Sequence, residues 1–218
     1  MRYLIVTLYS AVLPAVTAIT ACDFEKSGAK LKKEIRLKDG VVKLGTLQVS
    51  KKNQDPIVAF FREGKQIFCR DDYDKTPVDA RAVTATADAE HLYVAFSTDG
   101  GAQGNAFTRF TRAGWISSYG KGGGPKVAVI LKLLKKNGTP VAGTYLIAQK
   151  ADGKTNSIAV KEIQYQNGEI QVLTEAWFSP LRPDRTPARC QGKSPFLYSV
   201  TLEADLSAAT LATAANCQ

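Results

Sequence analysis

From Gly100 to Lys126 the chain carries neither Asp nor Glu, while Arg109, Arg112, Lys121 and Lys126 interleave with Phe107, Phe110, Trp115 and Tyr119. Cationic groups supply long-range attraction and aromatic rings supply flat contact area, a combination suited to an anionic glycan or another polyanionic surface. A second stretch, Pro180 to Lys193, sets Arg182, Arg185, Arg189 and Lys193 against Asp184 alone. Together they predict a basic, aromatic binding face built from Arg109, Arg112, Trp115, Tyr119, Lys121, Lys126, Arg182, Arg185 and Arg189. The competing assignment puts the aromatics in the core and leaves the charges simply solvated.

Catalytic chemistry finds less support. His91, in Ala89-Glu-His-Leu-Tyr-Val94, is the only histidine, and period-two alternation would put it with Tyr93 and Ala95 on one face of a strand. It reads as a strand residue beside a turn. No serine has the Gly-x-Ser-x-Gly setting of a nucleophile elbow. Asp71, Asp72 and Asp74 cluster, with Asp79 and Asp99 further on, and two carboxylates at a set separation are what a glycosidase needs. A hydrolase acting on an envelope polymer is therefore the competing class, although these aspartates also read as a solvated turn. Asp71-Asp-Tyr-Asp74 lacks the glycine and distal glutamate of an EF-hand loop. Gly120-Lys-Gly-Gly-Gly-Pro-Lys126 lacks the Ser or Thr and the following helix of a phosphate loop, so it reads as a connection. With a single histidine and no Cys-x-x-Cys, neither a metal nor a cofactor is expected.

The N-terminus points to a compartment. Tyr3 to Ala21 is almost continuously apolar or small, has only Arg2 before it, and ends in Ile19-Thr20-Ala21-Cys22. That tetrapeptide resembles a bacterial lipobox. The resemblance implies lipidation of Cys22, export, and a lipoprotein anchored in a membrane of the bacterial cell envelope. Asp23 in second position would imply inner-membrane retention under the enterobacterial sorting rule. The alternatives are ordinary cleavage, after Ala18 or Ala21, and a retained anchor, which Ser10, Pro14 and the threonines weaken. Four cysteines occur, at 22, 69, 190 and 217. With Cys22 lipidated, three remain, and Cys190 with Cys217 is the expected disulfide, pinning the C-terminus by roughly 3 kcal/mol.

The composition, 44% hydrophobic and 22% charged, is that of a folded globular protein, and its formal charge is +9. A basic balance favours an anionic partner: a membrane surface, an anionic glycan or an acidic protein, with nucleic acid least expected after export.

The elements that must position these residues are strands. Short apolar or alternating segments turn at Asp39-Gly40, Glu63-Gly64, Asn137-Gly138 and Asn167-Gly168, the sequence form of antiparallel hairpins. The expected organisation is a signal peptide over 1–21, a tether over 22–33 and a single all-β domain over 34–218. Ile57 to Phe96 parallels Ile130 to Leu173, with a third, truncated copy from Phe196 completed by the hairpin Glu34 to Leu44, a period of about seventy residues. This pattern resembles the blades of bacterial SBBP-type β-propellers, and the resemblance implies about three blade-like units. Three are fewer than a closed propeller uses, so self-association or a β-sandwich is the alternative. If the repeat holds, both basic stretches fall in the same connection between successive blades, on one side of the fold. The expectation is a non-catalytic binding protein, alternatively an accessory subunit of a membrane complex.

Overall fold

The computed structural model describes residues 22–100, 106–122 and 126–218. The signal segment, with Ile19 to Ala21 of the lipobox-like motif, and residues 123–125 of the glycine-rich run lie outside them. The described chain is all-β, as expected.

Three antiparallel meanders of four strands make the fold. The first sheet is β1 (Lys30–Leu37), β2 (Gly40–Ser50), β3 (Asn53–Arg62) and β4 (Lys65–Arg70). The second is β5 (Ala80–Ala87), β6 (His91–Thr98), β7 (Val127–Leu134) and β8 (Pro140–Leu146). Short strands β9 (Ala148–Gln149), β10 (Thr155–Asn156) and β13 (Ser179–Pro180) form a small separate sheet in the order β10-β9-β13. The third meander is β11 (Ile158–Gln166), β12 (Glu169–Ala176), β14 (Phe196–Glu203) and β15 (Ala209–Ala214). Local chemistry sets these hairpins. Glu63-Gly64 and Asn167-Gly168 both take positive φ, at 49° and 75° and at 53° and 85°, which two-residue turns matching the strand twist require.

The units read from the sequence do not coincide with the four-stranded sheets: their boundaries are displaced by two strands. The first sequence copy, Ile57 to Phe96, spans β3 and β4 of one sheet and β5 and β6 of the next; the second, Ile130 to Leu173, spans β7 and β8, then β9 and β10 of the small sheet, and β11 and β12. No closed barrel or propeller forms among the described residues, and the sandwich alternative fits. One core runs through all three sheets. β5 sits at their junction, where Lys33 Nζ donates to Thr84 Oγ1 at 3.1 Å and the Tyr165 amide donates to Thr86 Oγ1 at 3.1 Å. β6 and β7 are covered on both faces, so the half-exposed alternation expected around His91 is replaced by continuous burial from Leu92 to Phe96.

Residues 22–33 correct the expected tether. The amide of Phe24 donates to Gln66 Oε1 at 2.9 Å, Gln66 Nε2 donates to the Cys22 carbonyl at 2.8 Å, and the Phe24 ring is buried against Ile57, Ala59 and Cys69. β1 already begins at Lys30, paired with Thr46. An apolar ring in a segment expected to be solvated is what ties it to the first sheet.

Candidate functional site

The aromatic residues of the expected face point inward. Phe107, Trp115 and Tyr119 are buried in the main core, where their area contributes to folding. Burial pushes the Tyr119 hydroxyl up to about 12, helped by the charge of Asp99. Phe110 is half-buried and carries Arg109 on its ring, 4.4 Å from the centroid. Trp115 and Tyr119 are therefore corrected from binding residues to packing residues. The reason is that the second meander leaves its β8 edge open, and this connection closes it: the Tyr145 amide donates to the Ile116 carbonyl at 2.9 Å and the Ile116 amide to Thr144 Oγ1 at 2.9 Å.

The cations are placed unevenly. The Arg109 guanidinium donates to the Asp72 carbonyl, and Lys126 is held by Asp99 at 2.8 and 2.9 Å. Arg112 and Lys121 are exposed. Arg182 is half-buried and donates to the Pro187 carbonyl at 3.2 Å, whereas Arg185 is exposed on a tight turn at φ 69° and Arg189 is exposed beside Gln218. The two basic stretches do meet at one point, where Trp115 Nε1 donates to the Pro183 carbonyl at 3.0 Å.

The acidic residues are tied locally. Asp72 forms a two-pronged pair with Arg70 at 2.7 and 2.9 Å, and although burial opposes it, Arg70 holds the Asp72 carboxyl below its ordinary range. Asp71 pairs with Lys75 at 3.1 Å and Asp79 with Arg81 at 2.6 Å. Asp74 is buried, and its Oδ1 accepts from the amide and hydroxyl of Thr76. Lys75 also reaches Asp55 at 3.2 Å, so it stands between the Asp55 and Asp71 carboxylates. Asp88 accepts from the amides of Glu90 and His91 and from the Tyr93 hydroxyl, and His91 Nδ1 lies 3.1 Å from it. His91 is thus a turn clamp.

Both disulfides join cysteines of distant segments: the expected Cys190 to Cys217, and Cys22 to Cys69. The second engages the cysteine that the lipobox-like motif assigns to lipid. A sulfur bonded to carbon and to another sulfur has no valence left for a thioether, so this structure and a lipidated Cys22 exclude one another.

Sequence reading missed the surface where cations and aromatics are exposed together. Trp177 and Phe178, just after β12, remain 37% and 41% exposed, and Lys150 Nζ lies 5.4 Å from the Phe178 ring centroid. The small sheet brings them together: Gln149 pairs with Ser179 and with Thr155, the Lys150 amide donates to the Lys154 carbonyl at 2.9 Å, and Lys121 bridges Lys154. Lys154 is paired with Asp152 at 3.2 Å. The result is a corner of Lys121, Lys150, Lys154, Trp177 and Phe178. Its signal in the sequence is Ala176-Trp177-Phe178, three consecutive apolar residues that a strand cannot bury on one face. The large grooves lie elsewhere. Two of about 460 and 500 Å³ flank Lys135, and one of about 510 Å³ borders Arg189 and Gln218.

Comparison with known proteins finds no matching family model and no matching curated protein.

Proposed function

We propose that this chain is an exported, non-catalytic protein that binds an anionic glycan through the corner of Lys121, Lys150, Lys154, Trp177 and Phe178. The observation that carries the reading is Lys150 lying over the exposed Phe178 ring, beside an exposed Trp177. A sugar ring needs a flat apolar partner, and an acidic group on it needs a nearby cation. A formal charge of +9 favours the same class of ligand. Export is supported by the apolar N-terminal segment and by two disulfides, which form and persist in oxidising compartments. With Cys22 engaged, the mature chain is free of a lipid anchor, and the signal segment is removed by ordinary cleavage after Ala18 or Ala21.

The test compares retention on immobilised heparin with retention on a sulfopropyl resin. Trp177→Ala with Phe178→Ala should elute at lower salt from heparin and at unchanged salt from the resin, because only the glycan offers sugar faces. Substituting Lys121, Lys150 and Lys154 by glutamine should weaken retention on both. Unchanged heparin retention in both variants would refute the reading.

A further inference from the structure

We infer that the outer edge of β15, with the Arg182–Cys190 loop beside it, takes up an extended acidic peptide segment by strand addition. This site is separate from the glycan corner and does not rest on it.

Each meander has two edge strands, and five of the six are protected. β1 carries Lys30, Lys32, Lys33, Glu34 and Arg36 along eight residues, and charge discourages further pairing. β4 is covered by the Cys22–Phe24 segment and by the β7–β8 turn, where Arg70 donates to Thr139 Oγ1 at 3.3 Å. β5 and β11 pack at the junction of the sheets, linked through Thr86 and Tyr165. β8 is closed by Ile116. β15, of sequence Ala-Thr-Leu-Ala-Thr-Ala, has no charge, and its Leu211 is 58% exposed.

The phase of the ladder tells which backbone groups that edge presents. The Ala215 amide donates to the Leu197 carbonyl at 2.9 Å, so Thr213 and Leu211, two and four residues earlier, are the ones bonded to β14. Ala212 and Ala214 then turn their N–H groups away from the sheet. These are the donors that an added strand takes.

The surroundings of this edge select the partner. A groove of about 190 Å³ lies between Ala212–Ala214 and the loop residues Leu181, Arg182 and Ala188, with Tyr198 of β14 and the Cys217–Gln218 end also lining it. Arg182 is half-buried, with Nη2 donating to the Pro187 carbonyl at 3.2 Å and a buried Nε that has no hydrogen-bond partner among the described residues. Arg189 borders the adjoining groove, and Arg185 stands exposed on the same loop. The one acidic residue there, Asp184, is occupied by the amide and hydroxyl of Thr186 at 2.9 and 2.6 Å. An uncharged strand edge beside Arg182 and Arg189 fits a backbone that carries carboxylates on alternate side chains.

The experiment titrates the mature, oxidised protein into fluorescein-labelled octapeptides and reads anisotropy. The probes are (Glu-Val)4, its (Gln-Val)4 counterpart, and (Glu-Val)4 with every second amide N-methylated. Saturable binding of the first, weakened about tenfold in the second and at least as much in the third, is expected. Arg182→Gln with Arg189→Gln should reproduce the loss seen with the glutamine peptide. Equal affinity for the N-methylated peptide would refute strand addition, and equal affinity for the glutamine peptide would refute the acidic preference. A sedimentation result showing dimers that the peptide does not dissociate would assign the edge to a second copy and overturn the inference. The decisive controls sit in the peptides, so the conclusion does not depend on how well the arginine variant folds.

Discussion

Lys135 Nζ donates to both carboxylate oxygens of Asp39 at 2.9 Å, joining the β1–β2 turn to the end of β7 across 96 residues of chain. Arg62 Nη2 reaches the same carboxylate at 3.0 Å, and the Asp88 carbonyl accepts a further bond from Lys135 at 2.7 Å. The lysine side chain is only 6% exposed. This clamp ties the first sheet to the second at their hairpin ends, between the two grooves that flank it.

Removing one partner of this clamp should be worse than removing the other. Asp39→Asn leaves a buried ammonium without its counter-charge and should lower stability by about 2 kcal/mol, a figure discounted because Asp39 is partly exposed. Lys135→Met leaves Asp39 with Arg62 and should cost less. Burial opposes ionisation of Asp39, but Lys135 and Arg62 outweigh it and hold the carboxyl below its ordinary range. A lowered folded value means that the stabilisation is complete above the unfolded carboxylate range and disappears as pH falls through the folded value. Urea unfolding of the three proteins at pH 7 and in acid checks both the order of the variants and its collapse at low pH.

Asp74 has the opposite sign. Burial raises its carboxyl above the ordinary value, the two bonds from Thr76 offset this in part, and the charge of Asp55 adds to the rise. Its Oδ2 has no partner among the described residues. Here the folded state prefers the protonated acid, so stability falls as pH rises from the unfolded value through the folded one. Asp74→Asn removes the charge and keeps an oxygen for Thr76, and should stabilise at pH 7 by an amount of order 1 kcal/mol. The gain should vanish below the unfolded carboxylate range. A variant less stable than the parent at pH 7 would show that Asp74 is ionised and needed as such.

The strands and their turns were legible because hairpin chemistry is local: Glu63-Gly64 and Asn167-Gly168 announce their own φ values. The sheet boundaries were not, because a meander of similar strands gives no local mark where one sheet ends, and the sequence copies straddle β4 and β5. The Cys190 to Cys217 bridge was readable from a loop and a terminus that needed fixing. The Cys22 to Cys69 bridge was hidden by a motif that claimed Cys22 for lipid. Among the expected binding residues, charge and exposure agreed for Arg112, Lys121, Arg185 and Arg189, whereas Trp115 and Tyr119 were claimed by the uncovered β8 edge, a demand that only tertiary structure creates. Trp177 and Phe178 went unnoticed because they directly follow a strand that is well alternated.

The Cys22 to Cys69 bond can be measured against the lipid alternative. Intact oxidised protein should show no thiol reactive toward iodoacetamide, and mass spectrometry of the mature N-terminal peptide should find Cys22 linked to the peptide of Cys69. A diacylglyceryl group on Cys22 would refute the pairing. The bridge closes a span of 47 residues, so Cys69→Ser should lower stability by about 4 kcal/mol in the chain-entropy account, more than the loss from Cys217→Ser, which opens a span of 27. Phe24, no longer held beside Ile57 and Ala59, should become accessible to chymotrypsin in the Cys69 variant.

The connection that closes the β8 edge depends on Gly114. A Cβ built at this position would overlap the Gly143 carbonyl oxygen and press on the Thr144 Cα, both of them backbone atoms that cannot rotate away. Gly114→Ala must therefore push the connection off the strand, breaking the bonds of Ile116 to Thr144 and Tyr145 and withdrawing Trp115 from the core. Several buried contacts are lost together, so the expected cost is about 3 kcal/mol. Trp115→Phe keeps most of the apolar area and gives up only the bond to the Pro183 carbonyl, for an expected cost of about 1 kcal/mol. Thermal unfolding should rank the parent first, Trp115→Phe second and Gly114→Ala last. Neither substitution touches the corner of Lys150 and Phe178. Retention of folded Trp115→Phe on heparin should therefore equal that of the parent, and a loss there would return Trp115 to the binding surface.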